Sequence, residues 1–323
     1  MNEGSNSPGT VRPPAMNTLD LIGNTPMVRL TKVVPSNSAV EIYAKLEGYN
    51  PCSSVKDRIA KYMIEGAESR GELTPDMTII EATSGNTGIG LAMVAAYKGY
   101  KLKIVMPETM SIERRRVMQA FGAEIVLTPG ELGMNGAIAE AARLAGEPGY
   151  YYPDQFANPD NVKAHYEGTA GEILSQVEDI DAFVAGIGTG GTLMGIGSRL
   201  KETYPSIKII GVEPLRNSKI QGLRNLEDYL PPIFNLDILD EKIRVEDGCA
   251  FNTARVLARI EGLFVGISSG AVVHAALQVA EDMVAGRMVI LLPDRGDRYL
   301  STECFTCDSP DCVYQDFLRS LER

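Results

Sequence analysis

The chain has 323 residues, 44% apolar and 23% charged, a globular balance at a length that suits two domains better than one core. A net charge of -11 argues against nucleic acid as a partner, and no apolar run reaches the roughly 18 residues of a membrane span. The N-terminus has no basic-then-apolar leader pattern, so the cytoplasm is the expected place, and there five cysteines do not imply a disulfide framework.

Residues 1–15 are mostly Gly, Pro, Ser and Asn and read as a flexible tail. A strand is predicted over 40–46 and a helix over 55–70, stopped by Gly71. A strand end follows at 78–81, then a small-residue helix over 86–98 that ends at Gly99. A buried strand at 102–106 closes on Pro107, and Ser111 caps a helix over 111–121. A strand at 124–127 and a helix at 137–144 complete the first run. A Tyr/Pro/Asn/Asp stretch at 149–161 reads as a hinge between two units. Beyond it, strands are predicted at 182–185, 207–212 and 288–292, with helices at 192–204, 252–261 and 272–284. This alternation gives an α/β class: two three-layer αβα domains with mostly parallel sheets.

Ligands of such sheets bind beyond the carboxyl ends of the strands, where helix N-termini point. Two loops lie there. The stretch from Gly186 to Thr192 (GIGTGGT) can wrap an anion with backbone N–H groups, because glycine removes the Cβ. It also satisfies G-x-G-x-x-G through Gly186, Gly188 and Gly191, with Glu213 closing the next strand, so a nicotinamide oxidoreductase competes with phosphate binding. The second loop, Glu81 to Gly88 (EATSGNTG), brings hydroxyls and an amide to a helix start. Thr83, Ser84 and Thr87 could hold a carboxylate or simply cap the helix.

Lys56, in NPCSSVKDR, opens a helix. A cation at a helix N-terminus opposes the dipole, which favours the neutral, nucleophilic amine; a solvated surface lysine is the plain alternative. A lysine, a carboxylate loop and a phosphate loop are together what a pyridoxal-phosphate amino-acid enzyme needs.

The motifs N-P-x-x-S-V-K-D-R, T-S-G-N-T-G, G-T-G-G-T and G-I-S-S-G-A, in this order, resemble the cysteine synthase family of fold-type II (tryptophan synthase β-like) pyridoxal-phosphate enzymes over about residues 16–302. Cystathionine β-synthase is a near relative. The resemblance implies that Lys56 carries the cofactor and acts as base, and that Asn86 meets its 3′-oxygen. It implies that Gly188, Thr189, Gly190, Gly191 and Thr192 cradle its phosphate, and that Ser268 faces the ring nitrogen. It further implies that Thr83, Ser84, Asn86, Thr87 and Gln155 bind the substrate carboxylate. The implied activity is replacement of the β-substituent of an activated L-serine by a sulfur nucleophile, through an aminoacrylate, to give cysteine. The implied domains are a smaller mobile one over 46–151 and a larger one made of 16–45 and 152–302, with a tail from 303.

The second half is most similar to the cysteine synthase B type, including its O-phosphoserine branch, through H-Y-E-G-T, Q-G-L-R-N-L and G-A-V-V-H-A-A. Arg224 would then meet a substrate phosphate, which suits a guanidinium in charge and shape; pairing with Glu227 is the alternative. O-Acetylserine remains open as substrate. Sulfide, a thiocarboxylated carrier protein and homocysteine remain open as acceptors, and a homodimer is expected. Cys304, Cys307 and Cys312 lack a fourth ligand for a metal site and read as free thiols or a redox switch. Val313, Phe317, Leu318 and Leu321 could form an apolar helical face over the cleft or at an interface. His165 and His274 read as packing residues, and a non-catalytic scaffold of the same fold is a third functional class.

Overall fold

A computed structural model of the chain describes residues 14–306. Cys307, Cys312, the apolar positions beyond them and most of the N-terminal tail lie outside those residues. The chain opens with β1 (Met27–Arg29) and β2 (Val40–Leu46). Then come α1 (Lys56–Arg70), β3 (Thr78–Ala82), α2 (Asn86–Lys98), β4 (Lys101–Pro107), α3 (Ile112–Ala120), β5 (Glu124–Thr128), α4 (Gly133–Ala145) and β6 (Tyr150–Tyr151). Next are α5 (Pro159–Lys163) and α6 (Ala170–Gln176), joined by a π-helical stretch, Ala164–Thr169. The last run is β7 (Ala182–Gly186), α7 (Gly191–Thr203), β8 (Lys208–Pro214), β9 (Glu241–Val245), α8 (Asp247–Val256), α9 (Ile267–Asp282) and β10 (Gly286–Leu292).

These strands build two sheets. The larger has the order β1-β2-β10-β7-β8-β9 and is parallel except for β1; the smaller, β5-β4-β3-β6, is parallel throughout. Side chains alternate across each strand, so each sheet feeds two apolar layers. In β7, Val184 packs with Val272 and Ala276 of α9 on one face, and Phe183 packs with Leu193 and Ile196 of α7 on the other. In β3, Ile79 joins Ile59 and Met63 of α1 and Leu91 of α2, whereas Ile80 joins Ala137 and Ala141 of α4. Both units are therefore helix–sheet–helix sandwiches. Each buried isoleucine contributes about 1.5–3 kcal/mol, and a one-residue slip would turn each of these faces outward.

The structure differs from expectation in several places: the helical stretch from α5 through α6 was not predicted, and α8 starts at Asp247 rather than 252. The stretch at 149–161 is not all connection: Tyr150–Tyr151 adds an edge to the smaller sheet, and Asn158 caps α5. Within this stretch, only 152–158 connect the smaller sheet to α5. Helix α9 starts five residues before 272, since Gly266 is its cap and Ser268 lies in its first turn. The short edge strands β1 and β9 carry exposed charged residues and too little alternation to be legible. No helix among the described residues is long and apolar enough to cross a membrane.

Candidate active site

A cavity of about 750 Å³ opens where strand ends of both sheets face one another. Lys56, at the first position of α1, lines it and is half-buried, its free surface turned to the cavity. Burial pushes the Lys56 pKa down to about 8, against the opposing pull of the Asp294 and Glu47 carboxylates. Desolvation thus does what the helix dipole was expected to do.

The T-S-G-N loop lies opposite. Gly85 caps α2, and Thr83, Ser84, Asn86 and Thr87 all line the cavity. The Thr87 hydroxyl donates to Gln155 Oε1 at 2.7 Å, so the crossing segment joins the loop as expected. The glycine loop closes a third side. Gly188, Thr189, Gly190 and Thr192 line the cavity, and α7 begins at Gly191. Gly191 itself faces away, where a Cβ would fall 1.9 Å from Asn161 Oδ1. Asn161 Nδ2 donates to Thr189 Oγ1 at 2.9 Å and to the Gln155 carbonyl at 2.7 Å, tying two loops together. Ser268 is buried and lines the cavity; its neighbour two residues earlier, not Ser268, caps the helix.

Arg224 enters from the long connection between β8 and β9. Its N–H donates to the Ile187 carbonyl at 2.7 Å, and Asn225 Nδ2 donates to the Pro214 carbonyl at 2.9 Å, which hold that loop over the cleft. The guanidinium stacks on Phe156, 4.5 Å from the ring centroid, and on Tyr229 at 5.6 Å. Burial lowers the Arg224 pKa, and no carboxylate among the described residues lies in ion-pair reach of it. The expected alternative partner, Glu227, is taken by Arg216 at 3.3 Å and by Arg244.

Several lining residues had no role in the sequence reading. Arg114 of α3 donates to the Ser84 carbonyl at 3.3 Å and to Gln221 Oε1 at 2.6 Å, spanning the cleft mouth. Asp294, Arg298 and Tyr299 follow β10, and their position at a strand's carboxyl end was the available signal. His165, read as a packing residue, is buried behind the lining, with Nδ1 3.0 Å from Thr169 Oγ1 and Nε2 3.4 Å from Thr192 Oγ1 of the glycine loop.

Glu213 does not face the cavity. It is fully buried, bound to Arg244 at 2.9 Å and Lys242 at 3.0 Å, and accepts from Leu226 N–H at 3.0 Å. A dinucleotide site needs that carboxylate on a ribose, so the nicotinamide reading loses its acid. Cys52, Cys249 and Cys304 are free thiols, and burial pushes Cys304 up to about 12, far from a thiolate ligand or redox group.

The residues present fit pyridoxal phosphate. A cradle of N–H groups at the start of α7 meets a low-pKa lysine across one cavity. Gly190, at φ +96°, takes a conformation that side chains avoid, with Phe234 2.5 Å from where a Cβ would sit. A family model described as pyridoxal-phosphate dependent enzyme matches residues 18–294. A cysteine synthase of Staphylococcus aureus is 48% identical over 308 residues, which covers 91% of this chain and 98% of that protein. Among solved structures, a cysteine synthase of Entamoeba histolytica superposes with a TM-score of 0.88 at 37% identity, covering 100% of this chain and 99% of that one. A hydrogen sulfide-producing enzyme of Fusobacterium nucleatum gives a TM-score of 0.84 at 45% identity, covering 88% and 100%. On its matched length, its sheets and its lysine-bearing cleft, the chain belongs to the pyridoxal-phosphate dependent enzymes, among the cysteine synthases.

Proposed function

We propose that this enzyme makes L-cysteine by replacing the phosphate of O-phospho-L-serine with sulfide. Bound pyridoxal phosphate supplies an electron sink for the substrate's α-carbon. Lys56 would hold the cofactor through its amine, and that amine, which burial brings down to about 8, would serve as the base that takes and returns the α-proton. Gly188, Thr189, Gly190 and Thr192 hold the cofactor phosphate, with Gly191 setting the close helix packing behind them. Asn86 would donate to the 3′-oxygen. Ser268 would offer the ring nitrogen a neutral hydroxyl, which would leave it largely unprotonated and favour elimination over transamination. Thr83, Ser84, Asn86, Thr87 and Gln155 take the substrate carboxylate. The lobe over residues 46–151, which carries this loop, closes to keep water from the reacting carbon.

The observation that carries the choice of leaving group is Arg224, a stacked guanidinium in the cavity wall without a carboxylate partner among the described residues. Leaving it so costs desolvation unless an anion arrives. The cavity lining holds four cations, Lys56, Arg114, Arg224 and Arg298, against one acid, Asp294, in a chain of net charge -11. Such a local field favours a substrate that brings both a carboxylate and a phosphate. Replacing Arg224 by alanine is expected to lower kcat/KM for O-phosphoserine about 10- to 100-fold, the worth of one or two charge-assisted hydrogen bonds. The loss on O-acetylserine should be much smaller. Equal losses on both esters would remove the assignment.

Sulfide needs no pocket of its own. A thiocarboxylated carrier protein or homocysteine would react at the same β-carbon, and a panel of the three acceptors with O-phosphoserine separates them. A reducing compartment such as the cytoplasm accords with the free thiols at Cys52, Cys249 and Cys304.

A further inference from the structure

Asp294 stands two residues past the end of β10, and the backbone at Pro293 and Asp294 joins two parts of the site. Ser54 and Asp294 form an antiparallel bridge beside the lysine loop. The Pro293 carbonyl accepts from Val55 N–H at 2.8 Å. The Asp294 carbonyl accepts from Gly266 N–H at 3.1 Å, at the cap of the helix that carries Ser268. The side chain reaches a third part. Asn86 Nδ2 donates to Asp294 Oδ2 at 2.7 Å, and the Tyr299 hydroxyl donates to the same oxygen at 2.5 Å. Asp294 Oδ1 is buried with no hydrogen-bond partner. Asp294 is 2% exposed and is the one carboxylate lining the cleft among the described residues.

Asn86 is held from its other side as well. Arg298 Nη1 donates to Asn86 Oδ1, while Arg298 Nη2 donates to the Cys52 carbonyl in the lysine loop. With its oxygen taken by a guanidinium and its nitrogen by a carboxylate, the amide cannot flip without losing both bonds. A primary amide has two N–H groups, and Asp294 uses one.

We infer that Asp294 is a positioning residue for the reaction: it fixes the Asn86 amide with one N–H left for the cofactor, and its negative charge supports a cation at the Lys56 nitrogen. This rests on the reading that Lys56 and Asn86 both face the cofactor. Burial raises the Asp294 pKa, and the hydrogen bonds from Tyr299 and Asn86, with the charges of Arg298 and Arg114, pull the other way toward its ionised form. The charged groups acting on Lys56 are Asp294 and Glu47, both raising its proton affinity. His165, also nearby, is held neutral by burial.

The test uses holoenzyme and follows the long-wavelength cofactor absorbance, near ~410 nm for a lysine-bound pyridoxal chromophore, from pH about 6 to about 10. Asp294→Asn keeps the size and removes the charge, and Asp294→Ser removes the charge from a smaller side chain should the amide prevent folding. Either variant is expected to lose the band at a pH about one unit lower than the wild type, the effect of removing one nearby charge. A purely structural role would lower the melting temperature or cofactor content and leave the titration midpoint in place. Variant titrations that superimpose on the wild type would overturn the inference. A wild-type protein that never develops the band would overturn the Lys56 reading and this inference with it.

Discussion

An amine must shed its proton before it attacks an aldehyde, and at Lys56 the protein has already weakened that proton's hold. Burial brings the pKa down to about 8 from an ordinary lysine value of about 10.4. Because the pKa is depressed, the reactive neutral fraction rises as pH climbs through about 8. Cofactor uptake by the apoenzyme should therefore accelerate from pH 6 to 9 and level off above that. A rate still climbing severalfold per pH unit around pH 10 would mean an ordinary lysine. This residue was legible because its signal is local: a lysine opening a helix after N-P-x-x-S-V. Asp294 was not, because its partner Asn86 is 208 positions away in sequence, and nothing in P-D-R-G-D-R-Y foretells a contact made by folding. Arg114, whose partner Gln221 is 107 positions away, was hidden for the same reason. Arg224 falls between: the motif pointed to it, but only the fold shows that Glu227 is engaged elsewhere.

At the scale of elements, the inner parallel strands were read correctly because they are buried and strongly patterned, as β7 and β10 show with their unbroken apolar runs, whereas α5 and α6 were missed and α8 and α9 start five residues earlier than expected. Edges were missed where packing, not pattern, decides: β6 has two residues and β9 carries Glu241, Lys242 and Arg244. The glycine loop works because it ends in a helix start that only glycine permits. Gly190→Ala would place a Cβ 2.5 Å from the Phe234 ring at φ +96°. Gly71→Ala, at the C-terminal cap of α1, meets similar backbone strain at φ +71° with nothing within 4 Å. Each change costs about 1 kcal/mol of backbone strain. Only Gly190→Ala should weaken cofactor retention on dialysis, by about tenfold or more given the added clash. Equal retention in the two variants would contradict the cradle.

Across the whole molecule, two sandwiches meet at one cleft, and each supplies what the other lacks. The smaller sheet brings the T-S-G-N loop, the larger brings Ser268 and the glycine loop proposed to hold the cofactor phosphate, and Lys56 sits on the segment between β2 and β3 that links them. The acidic surface and the cationic cleft divide the charge so that anions are drawn to one place. All of this depends on a covalent link between Lys56 and the cofactor. Borohydride reduction of the holoenzyme followed by peptide mass mapping tests it directly. We expect one reduced pyridoxyl group, on the peptide that contains Lys56. An unmodified Lys56 peptide, or the label on another lysine, would contradict the account.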